Sequence, residues 1–338
     1  MGLGIRLARA LSQAILWWNE PPERSMLQTA ITATICSACI AMPSADAATP
    51  AQAGTGDHID IVIVAGQSNA RAEFAEGVAQ AIAGSGRYER AEVFHRFHGG
   101  NKIKQWVIGS APGVYEFGPN FLADFWNPDG SAGLQERIRE IETAGQTWDI
   151  AGFVWFQGEA DSAREYDRVP YPARFHFMLN ALEDRFTLDH DLPFVITLID
   201  YNGDDDLLLD AYRYPEDIEA TREMQRGVGD STAIGAWIDS RDWPRLDLWH
   251  LGDHDDPDGI YAPSADFGRV AGGLLTTRPE PLSRADLDAN RIHDLADIAL
   301  FAASFAVRDP KADIAPPVDR YDLADLLAFI EHFTGVAD

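Results

Sequence analysis

Five short strand-like runs, at 59–64, 91–97, 150–156, 193–199 and 233–238, alternate with amphipathic stretches at 75–83, 134–144, 174–186 and 218–226. No other feature constrains the fold as strongly. Strand–helix–strand units of this kind close as a parallel sheet with helices on both faces, so the pattern predicts an α/β protein, a doubly wound three-layer α/β/α sandwich. The first run, Ile59-Asp60-Ile61-Val62-Ile63-Val64, carries five β-branched aliphatic residues. That composition suits a strand buried on both faces. Gly77 is the one weak point in the helix expected to follow.

In open α/β sheets, ligands bind beyond the carboxyl ends of the strands. The first run stops at Gly66-Gln67-Ser68-Asn69, which puts Ser68 where a nucleophile would stand. The second runs into Gly99-Gly100, where paired glycines either make a plain turn or let the backbone present its amides to a ligand. The third ends in Gln157-Gly158-Glu159-Ala160-Asp161-Ser162, polar groups around a glycine. After the last comes Asp247-x-x-His250, a spacing that sets both side chains on one side of a turn. A carboxylate so placed can hold an imidazole in the tautomer that accepts a serine proton. Each piece alone reads as an ordinary loop; their order would gather them at one sheet edge. His95 and His98 have no third ligand nearby and read as structural.

The chain has 338 residues, 46% of them hydrophobic, enough for one large domain and a small appendage. Its formal charge of −27 argues against nucleic-acid partners and anionic membrane surfaces, both of which need basic patches. The only cysteines, Cys36 and Cys39, lie in an apolar stretch at 27–41 that is too short to span a membrane. With Pro43-Ser44-Ala45-Asp46-Ala47 behind it, the stretch reads as a secretory signal cleaved after Ala47. Met26 is an alternative start, which would make 1–25 an over-extension. The competing reading is an N-terminal helix anchored by Leu16, Trp17 and Trp18. Export places the protein outside a bacterial cell, in the periplasm or on the surface, with no cysteine and no membrane span in the mature chain. The expected plan is a signal peptide at 1–47, a flexible leader at 48–57, the main domain at 58–275, a linker at 276–283 and a helical module at 284–338.

Gly66-Gln67-Ser68-Asn69, Gly99-Gly100 with Trp106, Trp155-Phe156-Gln157-Gly158-Glu159-Ala160-Asp161 and Asp247-x-x-His250 occur in an order and spacing that resembles the SGNH hydrolase superfamily. Within it, the likeness is to the sialate O-acetylesterase-like and carbohydrate acetylesterase branch. The resemblance implies a flavodoxin-like sandwich and hydrolysis of esters, commonly O-acetyl groups on sugars, with no cofactor for catalysis. Carried over by position, Ser68 is the nucleophile, His250 the general base and Asp247 its orienting carboxylate. The oxyanion hole would comprise the Ser68 amide, an amide of Gly99 or Gly100, and the Gln157 side chain. Asn69, Glu159 and Asp161 would support these loops, and Arg222 and Gln225 would be structural.

Two departures from the branch's pattern leave alternatives. Gly118-Pro119 follows the double glycine, where the branch has such a pair before it. Asp258-Gly259-Ile260-Tyr261, ahead of an expected helix at 267–274, also resembles the Asp-x-x-His block, with Tyr in place of His. Under that alignment His250 or His254 has taken over as base, or the chain is a catalytically silent glycan-binding or cell-surface protein. The complete triad with Asp247 and His250 is the simpler account.

Near the C-terminus, Asp294-Leu295-Ala296-Asp297 recurs 28 residues later as Asp322-Leu323-Ala324-Asp325. The duplication resembles a degenerate dockerin-like pair of EF-hands, which implies a protein or cell-surface partner for this module. In the first loop Asp286, Asp288, Asn290, Asp294 and Asp297 have the spacing of calcium ligands, although Arg291 replaces the turn glycine and His293 an apolar residue. In the second, Ile314, Pro316 and Val318 occupy the corresponding early positions, so it is expected to bind nothing. The alternative is a two-helix module without metal.

Overall fold

The computed structural model describes residues 58–109, 114–126, 133–201, 203, 214–255 and 259–279, then 283, 285–287, 293, 295–308, 312, 314, 321 and 323–334. The expected signal peptide and leader lie outside them. The chain divides into two compact units, one within Ala53–Leu282 and one that includes Ser283–Asp338.

In the first unit, strands β1 (His58–Gly66), β2 (Ala91–Phe97), β5 (Thr147–Phe156), β6 (Phe194–Leu198) and β7 (Gly235–Asp239) form one sheet in the order β2-β1-β5-β6-β7. Every pairing is parallel. Two short strands, β3 (Val107–Ile108) and β4 (Glu116–Phe117), pair separately and antiparallel. The helices are α1 (Ala72–Gly84), α2 (Pro119–Asp124), α3 (Leu134–Thr143), α4 (Glu159–Ser162), α5 (Glu165–Arg168), α6 (Tyr171–Arg185), α7 (Pro215–Gly229) and α8 (Ala262–Thr276). This is the flavodoxin-like α/β/α architecture.

The strand alternation of two sorts the apolar residues of β1 into two cores. Ile59, Ile61, Ile63 and Ala65 face a layer containing Phe121, Leu134, Ile138, Tyr171 and Phe175. Val62 and Val64 face Phe74, Val78, Phe267 and Ala271 on α1 and α8. Gly77 has a positive role here. A Cβ added at Gly77 would stand 1.9 Å from the Ala265 carbonyl oxygen, and one at Gly268 would stand 2.1 Å from that of Phe74. The two helices therefore cross in near backbone contact, and the propensity lost at Gly77 is exchanged for close packing. Helix α1 also starts three residues earlier than its periodicity suggests, because Phe74 belongs to the buried face.

The second unit holds α9 (Leu295–Val307) and α10 (Leu323–Thr334). Phe301 and Phe329, 28 residues apart like the repeated tetrapeptide, stack at 4.1 Å between ring centroids. Asp297 and Asp325 are fully buried, and each accepts a backbone N–H from the segment before its helix: Leu287 at 2.7 Å and Ile314 at 3.0 Å. The contact forms in the half that lacks the acidic series, so it needs no metal to explain it. Of the expected calcium ligands, Asp288, Asn290 and Asp294 lie outside the described residues. Among the described residues, no group of three or more His, Cys, Asp or Glu side chains is placed to hold a metal, and no helix is long and apolar enough to cross a membrane.

Candidate active site

Where β1 ends, the chain must turn beneath the neighbouring strand. Gly66 adopts φ +152° with its α-carbon so near β5 that a Cβ would lie 2.0 Å from the Phe156 carbonyl oxygen. Only glycine passes there, and the next residues rise from the sheet edge as a tight turn closed by Ala70 N–H donating to Gln67 O at 2.8 Å. Gln67 points inward; Ser68 is part-exposed. From β2, the His95 ring donates from Nε2 to the Ala70 carbonyl at 2.6 Å and so braces the far side of this turn.

Ser68, Asp247 and His250 line one cleft of about 290 Å3, together with Arg71, Phe97, Leu246 and Tyr261. In it the Asp247 carboxylate does two jobs. One oxygen accepts the amides of Trp249 and His250, each at 2.9 Å, and the other accepts Nδ1–H of His250 at 2.7 Å. That contact directs the protonated nitrogen away from the cleft and leaves Nε2 as the proton acceptor. Partial burial alone would raise the Asp247 carboxyl. The hydrogen bonds from the His250 ring and the two amides outweigh it and hold the group below its ordinary range. No hydrogen bond joins Ser68 and His250 among the described residues, a common condition in a free active site.

The loop carrying His250 is fastened on both sides of the histidine. Asn69, next to Ser68, donates from Nδ2 to the Trp249 carbonyl at 3.0 Å and accepts the Leu251 amide on Oδ1 at 3.1 Å. One side chain thus ties the Ser68 turn to the two peptides flanking His250. Its other N–H goes to Glu159 Oε1 at 2.7 Å. Burial drives the Glu159 carboxyl upward, against the pull of the Asn69 bond. Arg245 adds a second clamp, donating from Nη1 to the Trp249 carbonyl at 2.6 Å and from Nη2 to Ser240 O and Oγ at 3.0 and 2.9 Å.

Gln157 occupies a different environment. It is fully buried at the end of β5, and its Nε2 faces Gln67 Oε1 at 3.2 Å, Asn101 O at 3.1 Å and a close Asp161 Oδ2. Both of its N–H groups are engaged by protein acceptors, and Gln157 is not among the residues lining the cleft. Asp161 is also held by the Ile103 amide at 3.0 Å, yet burial dominates and raises its carboxyl to about 7. Gln225 extends the knot, donating to Gln157 O at 2.7 Å and accepting the Ile199 amide at 2.9 Å. Arg222, buried beside it, donates to Ile199 O and Asp239 Oδ2, each at 2.5 Å. Gly99 and Gly100 form an exposed turn outside the cleft lining, and His98 beside them pairs with Asp124 at 2.6 Å.

The structure therefore brings Ser68, Asn69, Asp247 and His250 together, and keeps Gln157 and Asp161 beneath them. Tyr261, the alternative occupant of the base position, lies in the same cleft with its ring under the Arg71 guanidinium, 3.4 Å from the centroid. Asp258 of that block is outside the described residues. Sequence reasoning missed Arg71, Phe97, Leu246 and Arg245. Phe97 ends the strand beside β1 and Arg71 follows the nucleophile turn, so the sheet-edge rule that singled out Ser68 also pointed to both.

The description of a family of carbohydrate esterases, sialic acid-specific acetylesterase, matches residues 79–254. The match opens after Ser68 and takes in Gly99, Gly100, Gln157, Asp247 and His250. No curated protein matches the chain. Among solved structures, a protein of Arabidopsis thaliana superposes with a TM-score of 0.44 at 16% identity, over 65% of this chain and 97% of its own. A carbohydrate acetylesterase from Xanthomonas citri gives 0.41 at 14% identity over 64% of this chain; the overlap spans 55% of that protein's length. The family match extends over more than half of the sequence, from α1 through the His250 loop, and the chain belongs to this family of carbohydrate esterases.

Proposed function

We propose that the protein is a secreted serine esterase that removes O-acetyl groups from carbohydrate. The observation that carries the reading is the cleft in which Ser68 meets a histidine already oriented by Asp247 at 2.7 Å. His250 Nε2 takes the proton of Ser68 as its oxygen attacks the acetyl carbonyl. The tetrahedral intermediate then collapses, the sugar oxygen leaves with the proton held by His250, and water releases acetate from the acyl-enzyme by the same steps. The Ser68 amide and an amide of Gly99 or Gly100 would stabilise the oxyanion. For Gln157 to join them, its amide must exchange one of its present acceptors for the substrate oxygen. Export, the dockerin-like character of the C-terminal unit, its protein or cell-surface partner and calcium in its 286–297 loop belong to the same proposal.

The engagement of Gln157 by three protein acceptors favours a second reading, a catalytically silent glycan-binding protein with the same cleft. Hydrolysis of an aryl acetate by the wild-type protein, abolished in Ser68→Ala, is the expected result. Equal background rates for both proteins would establish the silent reading instead.

A further inference from the structure

We infer that a larger cleft beside the catalytic one holds neutral sugar units of the substrate chain flanking the acetylated residue. The inference rests on the carbohydrate-esterase reading and adds to it a chain-binding subsite. The cleft, of about 860 Å3, opens beyond the carboxyl ends of β6 and β7, at the same sheet edge as Ser68. Tyr201 and Trp243 supply aromatic surface, and the acids Asp200, Glu216 and Glu219 balance the arginines Arg222, Arg241 and Arg245. Pro244 and Arg245 line this cleft, and the next two residues, Leu246 and Asp247, line the catalytic one. The two clefts thus adjoin along one loop.

The charge pattern selects the ligand. Arg222 is bound to Asp239 at 2.5 Å and Arg241 to Glu219 at 3.0 Å, and Arg245, the third cation of the lining, faces Asp200 at 3.9 Å. An anion would have to break one of these pairs and approach a chain of net charge −27. A hydroxyl, which both donates and accepts, can join such a pair without breaking it. Trp243 packs on Phe267 at 5.0 Å between ring centroids, and its indole N–H has no hydrogen-bond partner among the described residues. A fixed aromatic ring beside paired charges suits the apolar face and hydroxyl rim of an uncharged sugar.

The test is calorimetric titration of full-length Ser68→Ala with unacetylated xylo-, cello- and manno-oligosaccharides, and with oligogalacturonate as the charged control. At least one neutral chain should bind and the charged one should not. On the same background, Trp243→Ala should weaken that binding by about tenfold or more. Because Trp243 touches the core, Arg241→Ala at an exposed position gives a second measure, and it too should weaken binding. No neutral binder, a preference for the charged chain, or unchanged affinity in both variants would overturn the subsite. Aryl acetate turnover by the wild type reports on the esterase reading separately: turnover without chain binding rejects only the subsite, and chain binding without turnover rejects only the esterase.

Discussion

Asp247 and Asp161 are both carboxylates in segments that follow strands of the sheet, and their surroundings push them in opposite directions. Asp247, half-exposed, collects three N–H donors and stays ionised below its ordinary range. Asp161, fully buried, has fewer donors than its burial demands, leaves Oδ1 without a partner and rises to about 7. A charge must persist where an imidazole is to be oriented and later stabilised as its cation. Beneath the cleft, by contrast, a carboxyl serves as a hydrogen-bond acceptor that joins strand ends. The environment, more than the residue type, divides the carboxylate proposed to work in the cleft from the one that packs beneath it.

The widest separation between these regions should appear in catalysis. His250→Ala should lower kcat/KM on an aryl acetate by about 10^4-fold or more and Asp247→Asn by about 10^2 to 10^4-fold, with melting temperatures near that of the wild type. Full activity in His250→Ala, with loss in Tyr261→Phe, would move the base to the other alignment.

A smaller effect is expected from the side chain that links the two loops. Asn69→Ala leaves the Trp249 carbonyl, the Leu251 amide and Glu159 Oε1 short of a partner. It should cost about 1 to 3 kcal/mol of stability in denaturant unfolding. The displaced His250 should lower kcat by roughly 10 to 100-fold with KM little changed. A stability loss without a kcat effect would show that Asn69 only packs.

The remaining effect concerns stability alone and its dependence on pH. The folded-state value of Asp161 lies above its unfolded one, so between about pH 4 and 7 the unfolded chain binds fewer protons and stability falls as pH rises. Asp161→Asn removes that slope. Relative to wild type it should gain melting temperature above pH 7 and lose that advantage near pH 4. A parallel pH profile for both proteins would show that Asp161 is ionised without penalty.

Much of the sheet was legible in the sequence. The five runs became its strands, with β2 bounded as expected, because a strand covered on both faces, such as β5 or β6, is apolar over most of its length. That Ser68, Asp247 and His250 would meet in one cleft was legible because loops after parallel strands gather at one sheet edge. The setting of Gln157 was not. Whether an amide faces solvent or a buried knot depends on Gln67, Asn101, Asp161 and Gln225, which come from four separate segments.

By itself, then, the sequence determined the parallel α/β sandwich and the residues that stand at its edge, since periodicity and chain order are local properties. The three-dimensional packing alone decided which of those residues share a cleft. It set Asn69 between Ser68 and the His250 loop, placed Gly77 at a helix crossing, and gave Asp161 and Asp247 opposite shifts. Each of these depends on which distant groups come within hydrogen-bonding reach and how much water is excluded, and neither quantity is written in any single stretch of chain.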